Sequence, residues 1–335
     1  MSNSYKEIYN KLIGEKFNTV VIRYSPEKGK YEYRGFSHHA EKNALDNIAN
    51  LIIDDMIFYA FSENEILRLN DDIDLLEDLR AAAKYAYIER LPKREKAKSD
   101  GTMGEVLLDI IIQLASQNTK KLIARAKHTE IKNKKEITGY DALYFTKDAE
   151  GISLWLGQAK AGQKAYCKRS IIKDLQEKYK REYFADTAFY IADKNEAPEL
   201  GELLNDINKI CLMAQMKKWN GNQKIEKLFE ILKAKQVKIK IPCLITYSQN
   251  IYFDKAKLKE YVEHEVKEIL DEFDSQIFPI EIETSYEIVF YIIPVEDVDY
   301  IRDKIIELKK ETSLDKGTQR KTTENELPSL TQCTA

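Results

Sequence analysis

The run ISLWLGQAKAG, Ile152–Gly162, constrains this chain more than any other. Side chains alternate along a strand, so residues two apart share a face. One face of this run carries Ile152, Leu154 and Leu156, and then Gln158 and Lys160. A strand that starts in a core and ends in two polar groups delivers those groups to a cleft. The run TGYDALYF, Thr138–Phe145, shows the reverse trend, with Asp141 ahead of Leu143 and Phe145 on one face. The polar segment TKDAEG between the two runs predicts an antiparallel hairpin. A turn centred near residue 149 sets Asp141 opposite Gln158, so Asp141, Gln158 and Lys160 meet at the open end.

The flanking pattern predicts a compact α/β block. GEVLLDIIIQLASQ, Gly104–Gln117, is an apolar helix with Glu105 in its first turn. LIARAKHTEI, Leu122–Ile131, alternates like a strand. After the hairpin, Ser170–Phe184 reads as an amphipathic helix and TAFYIAD, Thr187–Asp193, as a strand. The expected order is therefore helix, three strands, helix, strand. The same style continues with a helical region over Glu199–Lys233, a buried strand over Val237–Ser248 and a helix over Lys255–Phe273. A strand over Tyr286–Val295 and a helix over Val298–Lys310 close the pattern. The tail from Glu311 has almost no apolar residues and is expected to be disordered.

Ahead of this block, Phe17–Tyr24 and Tyr31–Phe36 read as a β-hairpin, followed by helical pattern from Ser37 to about Arg90. The basic loop RLPKREKAKSDGTMG, with Pro92 and Gly101, marks a boundary. The expected organisation is an N-terminal α+β unit over 1–90 that docks a partner or regulates. A catalytic domain over 91–310 follows, with its core at 103–193 and an extension at 194–310, and then the tail over 311–335. Residues 1–82 hold ten Lys or Arg against fifteen Asp or Glu, whereas residues 83–136 hold thirteen against seven. The net charge of -3 thus conceals an acidic front and a basic centre.

That near balance argues against a polybasic nucleic-acid coat but leaves room for a local basic patch. Cys167, Cys211, Cys243 and Cys333 form no close pair, which argues against structural zinc. No apolar run approaches the roughly 18 residues of a membrane helix, and the first residues lack a signal-peptide core. The expectation is a cytoplasmic chain with no membrane association.

The chemistry of the hairpin end suits phosphodiester hydrolysis. Asp141 is the expected principal ligand of Mg²⁺, with Mn²⁺ as the alternative, because hard cations prefer oxygen. Gln158 can add its amide oxygen, and Glu105 can complete the metal shell if its helix crosses the sheet. Lys160 can offset charge developing on the phosphate. Lys93, Arg94 and Lys96, with Lys120, Lys121 and Arg125, are the candidate DNA-backbone contacts. Each residue also has an ordinary reading. Asp141 can be a strand-edge carboxylate, Glu105 a first-turn acid favoured by the helix dipole, and the basic loop a solvated linker. His38 and His39 are expected to be structural, and Trp155 to lie in the core on the face opposite Gln158.

With Asp141 in one strand and Gln158-Ala-Lys160 in the next, the chain resembles the PD-(D/E)xK restriction-endonuclease-like superfamily. Gln158 stands where most members have Glu, as in Mrr-like variants. The combination of Gly104-Glu105, GYDALYF, LGQAKAG and YEIVFYIIPV is more narrowly similar to the HamA family, the nuclease subunits of the Hachiman antiphage system. The resemblance implies a restriction-endonuclease-like core with a mixed sheet flanked by helices. It also implies a metal-dependent DNA endonuclease held inactive until a HamB-like helicase, its partner in a heterodimer, meets aberrant DNA. Two other readings stay open. One is a catalytically silent DNA-binding or scaffold subunit, suggested by the lost carboxylate at 158. The other is a standalone Mrr-like restriction enzyme.

Overall fold

The seven strands of the protein, a computed structural model describing residues 4–26, 28–91, 101–127 and 139–308, form a single mixed sheet. They are β1 (Val21–Tyr24), β2 (Glu32–His38), β3 (Lys120–Lys121), β4 (Ala142–Asp148), β5 (Gly151–Gly162), β6 (Lys238–Ser248) and β7 (Tyr286–Val295). Their spatial order is β1-β2-β7-β6-β5-β4-β3. The four central strands β2, β7, β6 and β5 run parallel, and antiparallel pairs finish both edges. β6 and β7 read as nearly continuous apolar runs because both of their faces are covered. The N-terminal hairpin β1–β2 belongs to the same sheet through β2 and β7.

Helices cover both faces. In chain order they are α1 (Tyr5–Tyr9), α2 (Glu15–Val20), α3 (Ala44–Ala60), α4 (Glu63–Ile73), α5 (Leu79–Tyr85) and α6 (Thr102–Ala115). Then come α7 (Lys164–Lys178), α8 (Arg181–Lys194), α9 (Gly201–Lys217), α10 (Gly221–Ala234), α11 (Leu258–Asp274) and α12 over 298–308. One core packs α7 to α11 against Leu143, Phe145, Leu154 and Leu156 of the hairpin. The other packs α3, α6 and α12 against Ala142, Tyr144, Trp155, Ala159 and Ala161. Trp155 is buried on the face opposite Gln158, as its parity in the strand requires.

Two glycines set the geometry around the hairpin. A Cβ on Gly104 would lie 3.5 Å from the Cβ atoms of both Ala159 and Ala161, so this small-residue contact lets α6 ride close over β5. Gly162 ends β5 at φ +143°, a conformation that strains any L side chain, and the chain turns there into α7.

Three sequence expectations are corrected. Thr187–Asp193 is helical, inside α8, because Phe184, Ala188 and Ile191 with Ala185, Phe189 and Ala192 form a helical apolar face. The strand beside β5 is β6, which follows α10 in the chain. In the Leu122–Ile131 segment, Leu122, Ile123 and Ala124 are all buried rather than alternating. Among the described residues of that segment the chain forms a short 3-10 turn at Arg125–Lys127, with the two-residue β3 just before it, and residues 128–131 lie outside the described residues. Of the Phe17–Tyr24 run, only Val21–Tyr24 is strand, and Phe17 lies in α2. The basic stretch Lys93–Lys98 and the tail from Glu311 lie outside the described residues.

His38, at the end of β2, is fully buried and stacks on Tyr252 with ring centroids 3.9 Å apart. Its Nε2 accepts the Glu296 N–H at 2.9 Å, and its Nδ1 faces the His39 carbonyl at 2.7 Å, which fixes the neutral Nδ1–H tautomer. Burial lowers its pKa to about 4. An unfolded His38 takes a proton near pH 6.5, while the folded one resists until about pH 4. The unfolded state therefore binds more protons in that window. This stability is fully present above pH 6.5 and is lost as pH falls towards 4, by about 3 kcal/mol. Urea unfolding at pH 7.5 and 5 is expected to show a fall in the wild type that His38→Asn reduces. An equal fall in both proteins would exclude His38 as the cause.

Candidate functional site

The hairpin register follows the alternation argument. Ala142 pairs with Gly157 and Asp148 with Gly151, which brings Asp141 to the position opposite Gln158, just beyond the ladder. The Asp141 N–H donates to the Gly157 carbonyl at 2.9 Å. Its Oδ2 accepts the Ala159 N–H, also at 2.9 Å, so the carboxylate folds over the end of β5.

Gln158 and Lys160 point into the α7 layer, whereas Glu105 comes from α6 on the opposite face. Gln158 is fully buried, and its Oε1 accepts from Lys178 Nζ at 2.5 Å, while its Nε2 has no partner among the described residues. Lys160 Nζ lies 2.6 Å from Asp174 Oδ2. Burial opposes the Lys160 charge, but Asp141 and Asp174 outweigh it and raise the pKa above that of an ordinary lysine. Glu105 is 6% exposed; its Oε2 accepts from the Tyr59 hydroxyl at 2.5 Å and from Arg125 Nη2 at 3.1 Å.

Asp141 senses both layers. Burial is the largest influence raising its pKa and the Glu105 charge is the next, while Lys178 and Lys160 pull it down. A buried glutamate that raises the proton affinity of a neighbouring, partly buried aspartate makes an environment that a divalent cation would relieve. The oxygens of Asp141, Glu105 and Gln158 are of the type a hard ion such as Mg²⁺ prefers, with Glu105 acting on Asp141 from α6 and the Gln158 oxygen held by Lys178 of α7. A small cavity beside Asp141 is lined by Tyr59, Lys121, Arg125 and Tyr140. Elsewhere, His264, Glu265 and Glu268 bring ligand atoms within 4.8 Å of one another. There Lys164 Nζ already lies 2.8 Å from both glutamates and supplies the positive charge.

The basic candidates are placed differently from the expectation. Lys121 and Arg125 are 5% and 6% exposed and turn inward, towards Asp109 at 3.6 Å and Glu105 at 3.1 Å. Ion pairing to acids on α6 explains this, since a buried cation needs a partner. Lys120 stays on the surface, 2.5 Å from Glu199. Lys93, Arg94 and Lys96 lie outside the described residues.

Sequence reasoning missed Asp174 and Lys178. Their signal was two charges four residues apart on a helix that packs directly behind the polar end of β5. It also missed that Glu105, Asp109 and Gln113 form one buried polar stripe along the otherwise apolar α6.

A HamA family model matches residues 11–308. The chain belongs to the HamA family. The match spans both sheet edges and includes Glu105, Asp141, Gln158 and Lys160. HamA membership gives the chain a role in Hachiman antiphage defence. No curated protein and no solved structure matches the chain. Among the described residues no helix of this HamA chain is long and apolar enough to cross a membrane.

Proposed function

We propose that this HamA chain is a metal-dependent DNA endonuclease that acts as a defence effector under the control of a helicase partner. The observation that carries the reading is the convergence of Asp141, Gln158 and Lys160 on the open end of one hairpin, with the Glu105 charge acting on Asp141 from α6. Asp141 and Glu105 would hold Mg²⁺ or Mn²⁺, with the Gln158 oxygen as a neutral third donor. When bound, the ion supplies a more acidic water and neutralises charge on the phosphate. Lys160 presents a fixed ammonium to the charge that develops as the phosphodiester is attacked. Asp141 turns its carboxylate to the site through the Ala159 N–H, and the apolar wall of Leu143 and Leu156 keeps bulk water from the strands behind it.

Each site group already has an internal partner: Tyr59 and Arg125 for Glu105, Lys178 for Gln158, Asp174 for Lys160. Such pairing supports a resting form that a helicase, engaged on aberrant DNA, would open. Supercoiled plasmid incubated with the chain is expected to be nicked in Mg²⁺ with the helicase and ATP, and to stay intact in EDTA. Intact plasmid under every condition, with a demonstrably active helicase, would retire the enzyme reading.

A silent DNA-binding subunit is the second reading, favoured by the Gln158 oxygen being taken up by Lys178. The substitution Gln158→Glu separates the two. It sets a carboxylate against Lys178 and adds a charged ligand, so half-maximal nicking is expected at roughly tenfold lower Mg²⁺. An unchanged Mg²⁺ dependence means that position 158 does not touch the ion.

A further inference from the structure

We propose that one turn of α7, Asp174 with Lys178, completes the site as a pair of positioning residues. Lys178 clamps the segment before Asp141 to Gln158, and Asp174 fixes Lys160. The inference rests on the nuclease reading for its purpose, though not for its geometry.

The Lys178 ammonium has three protons to donate and three oxygens around it. These are the Gly139 carbonyl at 2.9 Å, Gln158 Oε1 at 2.5 Å and Asp174 Oδ2 at 3.4 Å. The contact with residues 139–141 is reciprocal, because the Tyr140 hydroxyl donates to the Lys178 carbonyl at 2.6 Å. Two opposed hydrogen bonds therefore fasten Gly139 and Tyr140 to residue 178, immediately ahead of Asp141. The next residue, Tyr179, donates its hydroxyl to the Leu156 carbonyl of β5 at 2.6 Å. The end of α7 is thus bolted to both strands of the hairpin at its polar end. Ile171 and Leu175 hold the same helix in the core.

Asp174 occupies the other side. Its Oδ2 lies 2.6 Å from Lys160 and 3.4 Å from Lys178, so one carboxylate spaces two ammonium groups. An apolar turn could pack α7 on the sheet without removing three charges from water. Here the charges contact Gln158, Lys160 and the backbone leading into Asp141. That selectivity points to positioning of the site and not to helix packing alone.

The test uses the full chain and its helicase with Lys178→Met, Lys178→Arg, Gln158→Ala and the Lys178→Met/Gln158→Ala double variant. Hydrogen exchange of peptides covering 139–145 is expected to quicken in Lys178→Met and to return towards wild type in Lys178→Arg. This readout needs neither metal nor cleavage. In nicking, Lys178→Met is expected to lower kcat on the order of tenfold, as loss of a group orienting a ligand does, with KM for plasmid within about twofold. The double variant is expected to be faster than the product of the single losses, since both losses share the Lys178–Gln158 contact. Unchanged exchange in Lys178→Met, or losses that multiply in the double variant, overturn the proposal. If the wild type never nicks, the nuclease reading fails, and the exchange experiment still decides whether Lys178 is the clamp.

Discussion

Asp141→Asn is expected to reduce metal-dependent nicking by about a thousandfold while leaving the fold at least as stable as the wild type. A bound ion contributes several kcal/mol to the transition state, and each 1.36 kcal/mol is tenfold in rate. Asparagine keeps an oxygen for the Ala159 N–H, so the local hydrogen bond survives. It also removes one of the two carboxylates that oppose each other, since burial and the Glu105 charge both raise the Asp141 pKa. Relief of that opposition raises stability or leaves it unchanged. Lost rate with retained stability marks a residue kept for chemistry. Rate and urea midpoint falling together would instead make Asp141 a structural residue, and the candidate site would lose its centre.

The hairpin was legible because its information is local. Strand alternation and a short turn fix which residues share a face and which oppose one another, and the register of Ala142 with Gly157 agrees with that arithmetic. The partners of the site were less legible because they depend on packing. Nothing in the sequence says that α6 and α7 approach the same hairpin end from opposite faces, which is what puts Glu105 and Asp174 around Asp141 and Lys160. TAFYIAD failed as a strand because a short apolar run satisfies both periods until its neighbours are counted. Lys121 and Arg125 illustrate a further limit. A cluster of cations in sequence reads as a surface patch, yet these two are neutralised inside by acids spaced one turn apart on α6.

That buried stripe makes the second large prediction. Asp109 on α6 and Asp55 on α3 are 1% and 0% exposed, two buried carboxyls on neighbouring helices. Burial, followed by the Asp109 charge, raises the Asp55 pKa well above its ordinary value. Tyr9 donates to Asp55 at 2.8 Å, and Gln113 donates to Asp109 at 2.5 Å. Lys121 sits 3.6 Å from Asp109 and donates to the Phe58 carbonyl at 2.7 Å. Lys121→Met leaves a buried carboxylate without its cation, and stability is expected to fall by about 3 kcal/mol in urea unfolding. Lys120→Met, which breaks the half-exposed pair with Glu199, is expected to cost no more than about 1 kcal/mol. Had Lys121 served the DNA backbone, the pattern would reverse, with wild-type stability and weaker, less salt-dependent DNA binding.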